Sequence, residues 1–260
     1  MTLAFALKWH QQRALASQEI VELNTLALGV CERLGDEAAA LIAHGNIANG
    51  MRLTGRTEQA VVHLKVELEL ATRLGDAFGE LRALGNLANA YVTGQRFEEA
   101  LPYAERQLAV AREAESQVGV RFALLMLGMA HQGTGRALEA SRALTEGLAM
   151  AQEAGDTTHE GLFRLSLGEV LVELDDPERA LEHIRAATAM LYAGGYRFRV
   201  NGLVKLSKAS RALGKLDDAL DYVTQALDLT RRHGYTTWEQ RAEAELAAVR
   251  EAMRTASRET

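Results

Sequence analysis

The sequence lacks several features that mark common functional classes. Its single cysteine, Cys31, excludes an internal disulfide framework and fits a reducing compartment. Only two prolines and few aromatic residues occur, and the composition is rich in helix-forming residues. The longest apolar run, Phe122 to Ala130, is too short to cross a bilayer, and residues 1–10 lack the basic region and cleavage site of a signal peptide. We therefore expect a cytoplasmic helical protein with no membrane segment.

Motifs for chemistry are also missing. The formal net charge of -6, from 29 basic and 35 acidic residues, argues against direct nucleic-acid binding. No phosphate-binding loop of the G-x-x-x-x-G-K-[ST] type occurs, and no pair of the seven histidines has the helical spacing of a zinc site. His44 and His131 fall on helix-packing positions, so we expect packed or partly exposed histidines. The sequence predicts no enzyme, no metal and no cofactor.

What the chain does contain is an internal repeat of about forty residues. Rows that start at Asp36 and Asp76 share twelve of forty positions, among them Gly45-Asn46 with Gly85-Asn86 and Asn49 with Asn89. Later rows keep the same skeleton more loosely. The predicted repeats cover residues 36–75, 76–115, 116–155, 156–195 and 196–234.

Each row predicts two helices joined by short turns. Gly35-Asp36, Gly75-Asp76 and Gly155-Asp156 combine a left-handed glycine with a residue that caps the next helix. Glu115-Ser116 keeps only the cap. A second break lies in the middle of each row, as at Thr54-Gly55-Arg56. Short turns between helices of this length make consecutive helices antiparallel neighbours.

Apolar and small residues agree with this hairpin. In the second row, Leu84, Leu87, Ala88 and Tyr91 form a helical i, i+3, i+4, i+7 stripe. An alanine near the start of each second helix predicts the point where two helices cross closely; these are Ala60, Ala100, Ala140, Ala180 and Ala219. Residues 1–35 are predicted as a degenerate first hairpin with Ile20 at the crossing position. Residues 235–260 are predicted as a capping helix with a frayed tail from Thr255.

The segment Arg96-Phe97-Glu98-Glu99-Ala100-Leu101 resembles the tetratricopeptide repeat. The forty-residue length, with Ala71 to Asp76 closing the second helix, is similar to that of Pins/LGN-type adaptors and of the sensor arms of bacterial STAND and maltose-activator-like regulators. Gly85-Asn86-Leu87-Ala88-Asn89 is close to the adaptor pattern. The resemblance implies an all-α, right-handed solenoid of about six hairpins plus the capping helix. It also implies a concave groove lined by the first helix of each hairpin.

Groove positions supply the candidate binding residues. Asn49, Asn89, Met129, Glu169 and Lys208 are equivalent in the repeat, and Arg52, Val92, Gln132, Val172 and Arg211 lie one turn further on. Asparagine is a poor interior helix former, so its recurrence, with Asn86, suggests that it holds a peptide backbone. The alternative is that these asparagines are solvated helix residues. The chaperone-type carboxylate clamp is not predicted, because Gly45 and Gly85 occupy its lysine position.

A basic stretch lies in the fifth row. No acidic residue occurs between Glu182 and Asp217, whereas Arg197, Lys205, Lys208 and Arg211 fall on or beside one helical face. One interpretation is a positive face that attracts an acidic segment of the partner. The other is a solvated surface balanced by acids of neighbouring repeats.

Two functions follow from these patterns. The first is a non-enzymatic scaffold that binds a peptide or partner segment in the groove, with Asn49, Arg52, Asn86, Asn89, Gln132, Lys205, Lys208 and Arg211 as candidate contacts. The alternative is a sensor or regulatory arm of a larger regulator that responds to a ligand or partner. The sequence leaves the oligomeric state open.

Overall fold

The structure is a computed structural model that describes residues 3–191, 196–233 and 236–259, with side chains described for residues 17–191, 198–232 and 238–258. Within these ranges there are twelve α-helices and no strand. The chain divides into an N-terminal unit, residues 1–134, and a C-terminal unit, residues 135–260. The all-α fold predicted from the repeat is confirmed.

The N-terminal unit contains six helices that pack against their neighbours in chain order. They are α1 (Leu3–Leu34), α2 (Glu37–Leu53), α3 (Thr57–Leu74), α4 (Ala77–Thr93), α5 (Phe97–Glu113) and α6 (Gln117–Gly133). In addition, α4 contacts α2 and α6, so the first helices of successive hairpins lie side by side.

The C-terminal unit repeats this arrangement. Its helices are α7 (Ala137–Glu153), α8 (Thr157–Glu173), α9 (Pro177–Met190), α10 (Tyr196–Ala212), α11 (Leu216–His233) and α12 (Thr236–Glu259). Here α10 contacts both α8 and α12. Its apolar core includes Val200, Val204, Val223, Leu227 and Val249.

The predicted helix caps are present. The carboxylate of Asp36 accepts a hydrogen bond from the Ala39 amide at 2.9 Å, and Asp76 and Ser116 cap α4 and α6 in the same way. Gly75 adopts a left-handed φ of 68° at the end of α3, as the Gly-Asp pattern predicts. In the turn after α4 the left-handed residue is Gln95, with φ 59°, and not the preceding Gly94.

The five crossing alanines are all fully buried. The approach is close enough to exclude larger residues on the facing helix. A Cβ atom added to Gly168 of α8 would lie 3.1 Å from the carbonyl oxygen of Ala180 on α9. The small residues therefore set the spacing of each hairpin, as the repeat predicted.

Two predictions about the ends of the chain were wrong. Residues 3–34 form one continuous helix and not a degenerate hairpin. The segment from Arg13 to Glu19 contains neither glycine nor proline, and its residues are good helix formers, so nothing breaks the helix there. The predicted frayed tail is helical to Glu259, where Thr255 and Ser257 donate hydroxyl hydrogen bonds to carbonyl groups one turn earlier.

Candidate partner-binding faces

The first helices of the N-terminal unit carry the predicted asparagines. We call the surface of α2, α4 and α6 that bears Asn49, Arg52, Asn86, Asn89 and Gln132 the amide face. Asn49 is exposed, whereas Asn86 and Asn89 are half-buried. Gln132 is half-buried on α6 and takes part in an interaction of its own.

The amide groups of this face have a defined polarity. Arg52 Nη2 donates to Asn49 Oδ1 at 3.2 Å, and because a guanidinium only donates, this contact fixes the oxygen of the Asn49 amide. Thr93 Oγ1 donates to Asn89 Oδ1 at 3.4 Å. Among the described residues, the Nδ2 groups of Asn49 and Asn89 have no hydrogen-bond partner. Both side chains therefore keep an amide donor available for a ligand carbonyl.

Asn46 has a different role. Its Nδ2 donates to Asn24 Oδ1 on α1 at 3.0 Å, so this asparagine links two helices of the scaffold. Of the four asparagines of the repeated motif, Asn46 is therefore structural, whereas Asn49 and Asn89 keep their Nδ2 donors without a partner among the described residues.

Gly45 makes room for a buried carboxylate that sequence reasoning missed. A Cβ atom at Gly45 would lie 2.9 Å from Glu67 Oε1 on α3. Glu67 is fully buried and accepts from Arg82 Nε at 2.7 Å. Burial raises the pKa of Glu67 above its usual range, although Arg82 opposes the shift. The sequence signal for this buried carboxylate was a glutamate at a position that the apolar stripe of α3 places in the core.

The next hairpin repeats this arrangement with a neutral side chain. A Cβ atom at Gly85 would lie 2.4 Å from Gln107 Nε2, so the buried Gln107 occupies the space that glycine leaves. Gln107 Nε2 also donates to the Leu81 carbonyl at 3.4 Å. Gly45 and Gly85 therefore leave room for polar side chains of the second helices, Glu67 and Gln107.

In the C-terminal unit the predicted basic residues meet acids. We call the surface of α8, α10 and α12 that bears Glu169, Lys205, Lys208, Arg211 and Glu245 the charged face. Lys205 Nζ contacts Glu169 Oε2, and Lys208 Nζ lies 3.9 Å from Glu169 Oε1. The side chain of Lys205 is 11% exposed and that of Lys208 is 44% exposed. These residues line a small cavity of about 150 Å³ beside Ile184.

Arg211 is paired as well. Its Nε and Nη2 atoms donate to the two oxygens of Glu245 on α12, at 3.0 and 3.3 Å. Glu245 is buried and also accepts from Ser207 Oγ at 3.3 Å. The geometry therefore agrees with the second interpretation of the basic stretch, in which neighbouring helices supply balancing acids. Arg197 lies outside the described side chains.

Two histidines form a close contact in the first hairpin. The Nδ1 atoms of His44 on α2 and His63 on α3 lie 2.9 Å apart. Burial lowers the pKa of both histidines, and the neighbouring His63 lowers the pKa of His44 further. Among the described side chains, no three His, Cys, Asp or Glu residues form a group that could hold a metal ion. Within the same ranges every helix is too short or too polar to span a bilayer.

Residues 37–113 and 79–153 match the family model of the tetratricopeptide repeat. Residues 37–153 therefore carry tetratricopeptide repeats, as the resemblance predicted. No curated protein sequence matches the chain significantly.

Solved structures extend the likeness to nearly the whole chain. A Rap protein complexed with competence and sporulation factor is similar over 97% of this chain and 75% of its own, with a TM-score of 0.71 and 13% identity. A STAND protein with a tetratricopeptide repeat sensor from Pyrococcus horikoshii is similar over 95% of this chain and 42% of its own, with a TM-score of 0.64 and 19% identity. NprR in complex with its cognate peptide NprX is similar over 92% and 71%, with a TM-score of 0.63 and 13% identity. At these identities the likeness shows the shared fold, a tetratricopeptide-like solenoid.

Proposed function

We propose that this protein is a non-enzymatic scaffold that binds an extended peptide, or an extended segment of a partner protein, on its amide face. The observation that supports this most directly is the polarity of Asn49 and Asn89. The two residues occupy equivalent positions in the repeat. The Nδ2 group of each has no hydrogen-bond partner among the described residues. An unmatched donor on two adjacent first helices suits the regularly spaced carbonyl groups of an extended chain.

The flanking residues would complete the contact. Arg52 holds the Asn49 amide and is itself half-buried, so it can donate to the same peptide while it fixes the asparagine. Asn86 offers a further amide on α4, and Gln132 on α6 would contact the ligand beside the interaction that it already makes. Backbone recognition of this kind tolerates many ligand sequences. The Rap and NprR structures, which hold a sporulation factor and a cognate peptide on a similar fold, support the choice of ligand class.

An acidic segment of the partner would be recognised mainly through Lys208. Lys205 is nearly buried against Glu169, and Arg211 is held by Glu245. Lys208 is more exposed and lies 3.9 Å from Glu169, so it can turn toward a ligand carboxylate at small cost. Of Lys205, Lys208 and Arg211, Lys208 is therefore the cation least constrained by its acidic partner, and we expect its contribution to affinity to be small.

The test begins with selection of binding peptides from a random displayed library against the whole chain. Their dissociation constants are then measured by isothermal titration calorimetry. The double variant Asn49→Ala/Asn89→Ala should bind about 5- to 150-fold more weakly, because two carbonyl groups of the ligand lose their hydrogen-bond donors. Gln59→Ala, which removes an exposed amide from the second helix α3, is the matched control and should bind as the wild type does. Equal affinity of the double variant and the control would refute the role of the amide face.

A sensor arm is the second candidate, favoured by the likeness to a STAND protein whose tetratricopeptide repeats are described as a sensor. The present chain spans less than half of that protein. Hydrogen exchange with and without a selected peptide separates the two functions. A scaffold should gain protection only in the helices that contact the ligand, which are α2, α4 and α6 and, for an acidic ligand, α10. A sensor should also change exchange in helices that do not touch the ligand, such as α11.

A further inference from the structure

Helix α1 exposes an apolar surface that the solenoid does not cover. Five of its large apolar side chains are between 42% and 76% exposed: Ile20, Leu23, Leu26, Val30 and Leu34. At 100° per residue they fall within an arc of about 120° on one side of the helix. The opposite side packs on α2, where Val21 contacts Gly50. We call the exposed side the outer face of α1.

The repeat indicates what kind of element would pack on the outer face of α1. Leu23, Leu26 and Val30 precede His63, Val66 and Leu70 of α3 by forty residues. In α3, His63 contacts His44 of α2, whereas Val66 and Leu70 pack in the cluster with Ala40 and Leu41 of α2.

All three positions of α3 thus face the first helix of their own hairpin. Because α1 is one continuous helix, the described chain supplies no such helix in front of it. The outer face therefore matches the packing surface for an antiparallel helix.

The charges beside the apolar residues indicate what that helix is. Ile20, Leu23, Ala27, Val30 and Leu34 alternate steps of three and four residues, as in a helix-pairing seam. Glu19 lies seven residues before Leu26 and Arg33 lies seven residues after it, all three along one edge of the seam. At about 1.5 Å per residue, each charge stands about 10 Å from Leu26 along the helix axis.

This arrangement is complementary to itself. If two α1 helices pack antiparallel with a twofold axis at Leu26, each Glu19 faces Arg33 of the other copy. A twofold contact between identical surfaces requires this reciprocity of its charges. We propose that the outer face of α1 binds a second copy of this chain through an antiparallel α1–α1 contact, which makes the protein a dimer.

Light scattering coupled to size exclusion measures this directly on the whole chain. The wild type should elute as a dimer, at twice the 28.4 kDa mass of one chain, from low to high micromolar concentration. Leu23→Glu/Leu26→Glu should be monomeric with unchanged helix content, because the charges face solvent in the single chain. Val118→Glu replaces an apolar residue of comparable exposure, 62%, on α6 and should remain dimeric. A monomeric wild type at every concentration would overturn the proposal.

Charge reversal distinguishes a second copy from any other occupant. Arg33→Glu should weaken the dimer about tenfold, because Glu19 of each copy then faces a negative charge of the other copy. Glu19→Arg/Arg33→Glu should restore the wild-type dissociation constant, since each reversed charge again meets its opposite. Both residues are exposed, so these variants keep the fold even if the apolar substitutions do not. Failure of the double reversal to recover the dimer would rule out the antiparallel pairing.

Discussion

The two units each contain a buried carboxylate that faces an arginine, but the two sites are satisfied differently. Glu67 in the N-terminal unit is fully buried, and Arg82 is 36% exposed; Glu245 in the C-terminal unit is 4% exposed, and Arg211 is 34% exposed. Glu67 accepts through Oε1 only, and its Oε2 has no partner among the described residues. Glu245 accepts at both oxygens, from Arg211 and Ser207.

This difference extends to the surfaces that the first helices present. On the charged face, Glu169 ties α8 to α10 and Glu245 ties α10 to α12, so the ionic groups mostly satisfy one another. On the amide face, the corresponding asparagines of α2 and α4 accept only from their own helices and keep their donors unused. The same repeat position is therefore used for internal cohesion in one unit and remains available for binding in the other.

The largest effect should come from removing Arg211. Arg211→Met leaves Glu245 buried with only the Ser207 hydroxyl, and an uncompensated buried carboxylate costs about 3 kcal/mol at neutral pH. Urea unfolding followed by circular dichroism should show a lower midpoint. Arg232→Met is the control, because Arg232 is 69% exposed and pairs with Asp228 on the surface; it should cost less than about 1 kcal/mol. Similar losses in both variants would show that burial of Glu245 does not matter.

The glycine sites allow a second comparison of the units. A Cβ atom at Gly147 would lie 2.2 Å from the ring of Phe163, which is fully buried and cannot move aside. Gly147→Ala should therefore destabilise by about 1–3 kcal/mol through overpacking.

Gly45→Ala should cost less. The atom it meets is the end of the flexible Glu67 side chain, and alanine gains about 1 kcal/mol in helix propensity over glycine. Thermal or urea unfolding of the two variants under one set of conditions checks the order, and a larger loss for Gly45→Ala would reverse the interpretation.

Much of the fold could be predicted because its determinants are local. Asp36, Asp76 and Ser116 cap helices through contacts within three residues, and Ala60 and Ala100 recur at a fixed spacing that reveals the hairpin. The continuous helix α1 was not predicted. The pattern of the later repeats predicts a hairpin in residues 1–35, but this segment lacks the turn residues that separate the helices of the other hairpins.

The candidate site was less predictable because its state depends on partners distant in sequence. Glu169 and Lys205 are 36 residues apart, and Arg211 and Glu245 are 34 apart, so the single-row charge pattern gave no sign of their pairing. The asparagines were found by their recurrence. The separation of Asn46 from the others required the contact with Asn24 on α1, which no periodicity indicates.

The pH dependence of stability should reveal the unsatisfied Glu67. Its pKa is raised by burial, so between the raised value and the ordinary value the folded state binds more protons than the unfolded state. This site therefore adds stability as the pH falls through the raised pKa. His44, His63 and His183, whose pKa values are lowered by burial, have the opposite effect below about pH 6.5.

Glu67→Gln isolates the contribution of this one carboxyl, because the histidines are common to both proteins. The difference in unfolding free energy, wild type minus variant, should increase as the pH is lowered from 7 to about 5. Urea titrations at a series of pH values give this difference. A constant difference across the series would mean that Glu67 has the same pKa in the folded and unfolded states.

The smallest effects are expected at the equivalent positions Asn89 and Lys208. Lys208→Ala should change the unfolding free energy by less than about 0.5 kcal/mol, because its side chain is 44% exposed and its ammonium nitrogen lies 3.9 Å from Glu169 Oε1. Asn89→Ala should be neutral or stabilising by up to about 0.5 kcal/mol, since alanine is the better helix former and the Asn89 donor has no partner to lose among the described residues. Urea midpoints of the two single variants give both values. A cost above about 1 kcal/mol for Asn89→Ala would assign Asn89 to the scaffold, as the contact with Asn24 assigns Asn46, and would remove the basis for its role in peptide binding.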